Sequence, residues 1–203
     1  MNLPNILTLS RIPLMFMIVG LLYCSWWGAA TLAFALFILS ALTDWWDGAL
    51  ARRRGLVSNF GILMDALTDK ISVLGILIAA MDRNLILPES DVIPVILLLV
   101  ILTREFTITG LRLVAASRGV VVAADRAGKQ KTVTQLIAIG IFLAMPMLEH
   151  DFNAFNRIGI PEAAEWVKHL GFWLLLIATF LTLRSGALYL VKFGPLIFED
   201  EKK

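Results

Sequence analysis

Apolar stretches follow one another along this chain with only short polar breaks between them. Each is near the roughly 20 residues that an α-helix needs to cross the hydrocarbon core of a bilayer. They run over 6–23, 29–52, 61–81, 92–117, 126–148 and 164–191. In lipid, every backbone N–H and C=O must find its partner inside the segment, so such runs are expected as helices and not as open strands. Composition agrees: 59% of the 203 residues are hydrophobic and 17% are charged, against about 45–50% and about 25% in soluble domains. The expected fold is an all-α polytopic membrane protein with six transmembrane helices, residues 1–203 forming a single membrane domain. Asn2-Leu3-Pro4-Asn5 is expected as a short interfacial segment ahead of the first span, and Pro88, Pro94, Pro161 and Pro195 fall at span edges, where a missing donor N–H does least harm.

A net charge of +2 gives no basis for a nucleic-acid partner, and a single cysteine, Cys24, excludes a disulfide framework within the chain. Residues 1–11 carry one cation, Arg11, and Cys24-Ser25-Trp26-Trp27 has no small-x-small cleavage pattern. The first apolar run therefore reads as a retained helix. Arg11, Arg52-Arg53-Arg54, Arg118, Arg126, Lys129, Lys131, Lys192, Lys202 and Lys203 fall on one side of the six spans. Asp82, Glu89, Asp91, Glu149, Asp151, Glu162 and Glu165 gather on the other, with Arg83, Arg157 and Lys168 among them. Basic loops stay cytoplasmic, so both termini and the loops after spans two and four are expected in the cytosol.

Four aspartates interrupt this apolar background on the same side. The stretch is D-W-W-D-G-A-L-A-R, eight residues, then G-I-L-M-D-A-L-T-D, with Asp44, Asp47, Asp65 and Asp69. A carboxylate at the centre of a membrane helix costs roughly 2.5–3.5 kcal/mol on insertion scales, less toward the interface, so four together call for a compensating ligand. Spacings of three and four residues put each pair on one helix face, about 4.5 and 6 Å apart along the axis. Four carboxylates without nearby His or Cys suit hard cations such as Mg²⁺ or Mn²⁺, and two such ions balance four negative charges. Gly48 and Gly61 clear space for a large group, and Arg52, one turn beyond Gly48, offers a fork for phosphate. The combination points to a substrate bearing a diphosphate. Taken singly, these features have plainer explanations: the arginine triplet as a topology signal, the glycines as packing contacts, the aspartates as a proton relay in a small cation-coupled transporter.

The pattern D-x-x-D-G-x-x-A-R-x8-G-x3-D-x3-D, carried here by Asp44, Asp47, Gly48, Ala51, Arg52, Gly61, Asp65 and Asp69, resembles the signature of the CDP-alcohol phosphotransferases at every specified position. The likeness extends to N-L-P-N-I-L-T-L-S-R-I at the N-terminus, T-R-E-F-T-I-T-G-L-R-L-V-A-A over 103–116 and A-G-K-Q-K-T over 127–132. The resemblance implies transfer of a phosphatidyl group from CDP-diacylglycerol to an alcohol with release of CMP, in a bacterial inner membrane, by a homodimer with the active site facing the cytosol. It implies that Asp44, Asp47 and Asp65 hold two Mg²⁺ or Mn²⁺ ions, and that Asp69 shares in the metal site and accepts the acceptor's proton. Asn5, Ile6, Leu7, Thr8, Gly48, Arg52 and Ser58 would surround the nucleotide and diphosphate, with the lipid tails left in the bilayer.

The same comparison favours glycerol 3-phosphate as acceptor. A dianionic phosphomonoester needs cations beyond those serving the diphosphate, and Arg112, Arg118, Lys129 and Lys131 cluster about the loop between spans four and five, on the aspartate side. Arg112 stands inside an apolar run, where a topology signal is unnecessary. Arg104 beside Glu105 reads as a structural ion pair or a support for neighbouring groups. Inositol phosphate would need similar cations, so charge leaves that acceptor open, and serine remains a further alternative.

Overall fold

The computed structural model describes residues 3–54, 59–86, 92–117 and 126–198, with side chains described over 8–43, at 64, and over 66–86, 92–115 and 130–194. Six long helices account for almost all of it: α1 (Leu3–Leu22), α2 (Ala29–Arg54), α3 (Asn59–Asp82), α4 (Val92–Ser117), α5 (Arg126–Pro146) and α7 (Ala163–Phe198). A five-residue π turn, Met147–Asp151, and the short α6 (Ala154–Arg157) join α5 to α7. The long helices fall where the six apolar stretches lie. Val92–Ala115, Gln130–Asp151 and Ala163–Gly194 are long and apolar enough to cross a bilayer, while Thr8–Leu22 and Ala29–Thr43 are shorter apolar runs.

The boundaries differ from the sequence reading in three places. The N-terminal segment is continuous with α1, which starts at Leu3 and runs through Pro13. Pro4 sits in the first turn, where its missing N–H would have no helical partner anyway. At the other end of the chain α7 passes Pro195 and reaches Phe198 as a helix of 36 residues. At 1.5 Å per residue that is about 54 Å, well beyond a hydrocarbon core of about 30 Å. The α-helical hydrogen-bond pattern of α5 stops at Pro146, whose ring displaces the carbonyl one turn back, and the chain continues in wider π turns to Asp151.

Alternation of direction through the six helices puts the ends of α1, α3 and α5 beside the starts of α2, α4 and α7. Contacts there tie the end opposite the aspartates together. Asp151 Oδ2 accepts from the Thr31 N–H at 2.7 Å and the Thr31 hydroxyl at 2.6 Å, and Trp27 donates its indole N–H to the Asp151 carbonyl at 2.8 Å. The Tyr23 hydroxyl donates to Asp82 Oδ2 at 2.6 Å. Gly28, at φ +92°, opens α2 by accepting the Leu32 N–H at 2.9 Å, a conformation that side-chain-bearing residues rarely adopt. Asn84 closes α3 in the left-handed region, with Leu85 N–H on the Ala80 carbonyl at 2.9 Å and Asn84 N–H on that of Met81 at 3.0 Å, the paired bonds of a Schellman cap.

The core is built from one stripe of each helix. On α1 it is Met15, Ile18 and Leu22; on α3 Leu74, Leu77 and Ala80; on α5 Ala138, Ile139, Phe142 and Leu143. Gly171 lets α7 approach α5 closely, since a Cβ there would stand 2.7 Å from a Phe142 ring carbon. Opposite faces are apolar too: Phe16, Leu39, Leu99, Phe180 and Val191 are exposed on the protein surface, which only a lipid surround tolerates on this scale.

Candidate active site

Asp44 and Asp47 lie on α2, followed on the same helix by Gly48 and Arg52, while Asp65 and Asp69 lie on α3 one turn apart. The side chains of Asp44, Asp47, Arg52 and Asp65 lie outside the described residues, as do those of Asn5, Ile6 and Leu7 on α1 and Lys129 on α5. Ser58 and Arg118 fall outside them altogether. Helix α1 packs against both α2 and α3, the two helices that carry the acidic pairs. On α1 the buried positions are Thr8, Arg11, Met15, Ile18 and Leu22, the three- and four-residue steps of a single helix face.

Asp69 is the one signature carboxylate whose surroundings are described. It lines a narrow pocket between α3, α4 and α5. Lys70, Glu105, Lys131, Thr132 and Gln135 share the polar part of its wall, and Val73, Leu74, Ile101 and Leu136 form the apolar part. Lys131 and Gln135 stand one turn apart on α5 and are both buried. Below them the same face continues as Ala138, Ile139 and Phe142, with no exposure at all. The polar pocket therefore gives way to an apolar floor.

A chain of charges crosses the wall of this pocket. Lys131 Nζ pairs with Glu105 Oε1; the same oxygen accepts from Arg104 Nη1 at 3.0 Å, and Arg104 Nη2 donates to Ser185 Oγ on α7 at 2.8 Å. Room for the arginine comes from Gly186, where a Cβ would lie 2.9 Å from Arg104 Cγ. In a low-dielectric interior two cations on one carboxylate hold each other's geometry strongly, because any separation leaves an uncompensated charge. Lys70 turns its ammonium onto the Ala66 carbonyl at 2.7 Å.

Of the cations expected around an acceptor phosphate, the structure brings Lys131 to the pocket, already engaged by Glu105. Arg112 is exposed and is not part of the pocket wall; its guanidinium sits 5.4 Å from the centre of the Tyr189 ring on α7, a cation–π distance. Arg104 with Glu105 forms the expected ion pair. Sequence reasoning passed over Gln135 and Lys70, and it read Arg11 only as a topology charge. Arg11 is buried at 6% exposure, and the signal was available: it is three residues from Thr8 and four from Met15, on the face that packs.

Comparison with known proteins shows the family. Residues 1–187 match the family model described as CDP-alcohol phosphatidyltransferase. The chain is 40% identical to a CDP-diacylglycerol--glycerol-3-phosphate 3-phosphatidyltransferase of Bacillus subtilis, over 94% of each chain. A protein of the same name from Rickettsia bellii is 34% identical over 93% of each. A cardiolipin synthase (CMP-forming) of Oryza sativa is 32% identical over 71% of this chain and 46% of its own. Family match, whole-length relatives and an aspartate-lined pocket in an all-helical membrane fold lead to one conclusion: the chain belongs to the CDP-alcohol phosphatidyltransferase family.

Proposed function

We propose that the protein transfers the phosphatidyl group of CDP-diacylglycerol to the 1-hydroxyl of glycerol 3-phosphate, giving phosphatidylglycerophosphate and CMP, from the cytosolic face of a bacterial inner membrane. The observation that carries this reading is the pocket in which Asp69 shares a wall with the buried Lys131. It offers a base for a hydroxyl and a cation for a phosphate within one small space, at the helix ends that also bear the D-x-x-D-G segment. The acceptor oxygen forms a bond to the β-phosphorus as the bond from that phosphorus to the CMP oxygen breaks. The proton of the hydroxyl passes to the Asp69 carboxylate. Lys131 holds the acceptor phosphate, with Arg112, Arg118 and Lys129 drawing the dianion toward the pocket. Asn5, Ile6, Leu7, Thr8, Gly48, Arg52 and Ser58 orient the nucleotide and diphosphate.

Enzymes of this family depend on a divalent metal. A donor set made only of carboxylates, on two consecutive helices, fits a hard cation such as Mg²⁺ or Mn²⁺. Asp44, Asp47, Asp65 and Asp69 would hold two ions, which when bound polarise the phosphoryl oxygens and stabilise the departing CMP. The protein works as a homodimer in this reading.

The test is purified protein in detergent or nanodiscs, given CDP-diacylglycerol with a panel of acceptors: glycerol 3-phosphate, inositol phosphate, serine, glycerol and phosphatidylglycerol. CMP release with glycerol 3-phosphate, and little with the others, is the expected result. Equal use of glycerol or serine would remove the phosphate-pocket assignment. A preference for phosphatidylglycerol would move the chain toward an activity with a lipid acceptor.

A further inference from the structure

Gln135 stands out among the polar groups of the pocket. It is 6% exposed, and its amide nitrogen, fully enclosed, has no hydrogen-bond partner. It lines the same pocket as Asp69 and Lys131. Leu136 beside it and Ala138 and Ile139 beyond it offer no side-chain acceptor, and Glu105, which shares the pocket, already serves Lys131 and Arg104 through Oε1. A buried amide donor left without an acceptor is costly, and it is tolerated where a ligand supplies the acceptor. Leucine would fill this volume without that cost, so the polar side chain points to a polar occupant.

We infer that Gln135 reads the 2-hydroxyl of the acceptor and so selects a polyol phosphate over a simple alkanol phosphate. The inference rests on the proposed acceptor chemistry and deepens it. In glycerol 3-phosphate the 2-hydroxyl lies between the phosphate and the 1-hydroxyl that reacts. With the phosphate at Lys131 and the 1-hydroxyl at Asp69, Gln135 is the neutral amide on the wall that those two share with Lys70, Glu105 and Thr132, and the 2-hydroxyl is the acceptor group left to meet it. The Gln135 amide donates to the 2-hydroxyl oxygen. A site built to bond a substrate hydroxyl rejects the analogue that lacks it, because its own buried donor is then left unpaired.

The experiment compares kcat/KM for glycerol 3-phosphate and for 3-hydroxypropyl phosphate, which keeps the primary hydroxyl and the phosphate but lacks the 2-hydroxyl. Parent protein, Gln135→Leu and Gln135→Glu are measured, each with its thermal midpoint in the same detergent. The parent should favour glycerol 3-phosphate by about a hundredfold or more, within the range that hydroxyl-reading sites achieve. In Gln135→Leu that preference should shrink about tenfold or more, chiefly through loss with glycerol 3-phosphate, while KM for CDP-diacylglycerol and the thermal midpoint hold or the midpoint rises. Gln135→Glu, which keeps the shape and can still bond a hydroxyl, should retain more of the preference than Leu does. An unchanged preference in Gln135→Leu, in a protein that does use glycerol 3-phosphate, overturns this inference alone. An equal fall with both acceptors together with a lower midpoint assigns Gln135 to the fold and also overturns it. If the parent does not use glycerol 3-phosphate, the proposed function fails and takes this inference with it.

Discussion

Neutralising Glu105 should destabilise the protein more than any other single charge removal among the described residues. Its carboxylate serves two cations at once, Lys131 and Arg104, and the three side chains are 14%, 9% and 10% exposed. In Glu105→Gln both cations stay inside the helix bundle without the carboxylate that bonds them. Removing one partner of a buried pair costs about 3–5 kcal/mol, since the remaining charge keeps its desolvation penalty and loses its compensation. For a chain of this size that corresponds to a fall of roughly 6–20 °C in thermal midpoint, at about 2–4 °C per kcal/mol.

The protein carries its own control for this argument. Lys168 reaches Glu149 at 3.2 Å and Glu165 at 3.6 Å at the opposite end of the bundle, in a more open setting and with a second carboxylate in reserve. Glu149→Gln should cost at most about 1 kcal/mol, the range of accessible ion pairs. The assay is thermal unfolding of both variants in one detergent, followed by the double variant Glu105→Gln/Lys131→Gln. Removing the orphaned ammonium should return a substantial part of the loss, leaving Arg104 with Ser185. If Glu105→Gln unfolds within about 1 kcal/mol of the parent, or the double variant is less stable than the two single losses added, the pairing is not what holds these helices in register.

Three further outcomes follow from the site. Asp44→Asn, Asp47→Asn and Asp65→Asn should each lower CMP release by orders of magnitude while circular dichroism still reports a helical protein. EDTA should stop turnover of the parent, Mg²⁺ or Mn²⁺ should restore it, and full activity in chelator would end the two-metal reading. Asp69→Asn should reduce kcat far more than it raises KM for CDP-diacylglycerol; near-normal turnover in radioassay would take the proton from Asp69. Arg112→Ala should raise KM for glycerol 3-phosphate only about two- to threefold, with the difference fading as salt rises, because an exposed cation outside the pocket wall steers the dianion and does not bond it; Arg112→Lys, which keeps the charge, should recover most of it. If both substrates weaken equally, Arg112 serves α7 through Tyr189 and not the acceptor.

Much of the fold was legible because the bilayer sets one length. A run such as 92–117 has one way to satisfy its backbone in lipid, and the helix appears there as Val92–Ser117. Which face of each helix turns inward was not legible, for a physical reason. Lipid tails are as apolar as a protein core, so buried Leu77 and exposed Ile78 are neighbours of the same chemical kind. Only polar residues mark the inner face, and Thr8 and Arg11 do so on α1. Arg11 was misread because a cation near a helix end looks the same whether it meets water or a neighbouring helix. The aspartate signature was legible from spacing along two adjacent helices. The pairing of Lys131 with Glu105 joins different helices across 26 positions of sequence, and no local pattern announces it. Continuation of α7 past Pro195 was likewise hidden, since a proline ends some helices and only bends others.

The distribution of polarity through the bundle also decides between an enzyme and an ion pathway. Coupled transport requires groups that can hand a cation from one side of the membrane to the other. Here the charged cluster of Asp69, Lys70, Glu105 and Lys131 gives way on α5 to Ala138, Ile139, Phe142 and Leu143, all without exposure. Ile18 and Leu22 on α1 and Leu77 and Ala80 on α3 join them in one apolar core. Gly171 tightens the core by bringing α7 onto Phe142. Beyond it, the carboxylate of Asp151 is spent on Thr31 and that of Asp82 receives the Tyr23 hydroxyl. A cation reaching Asp69 would meet a closed apolar plug on the side of Asp82 and Asp151. Such a site can exchange substrates with one compartment only, which suits a reaction whose soluble acceptor and nucleotide product share that compartment while the lipid stays in the membrane.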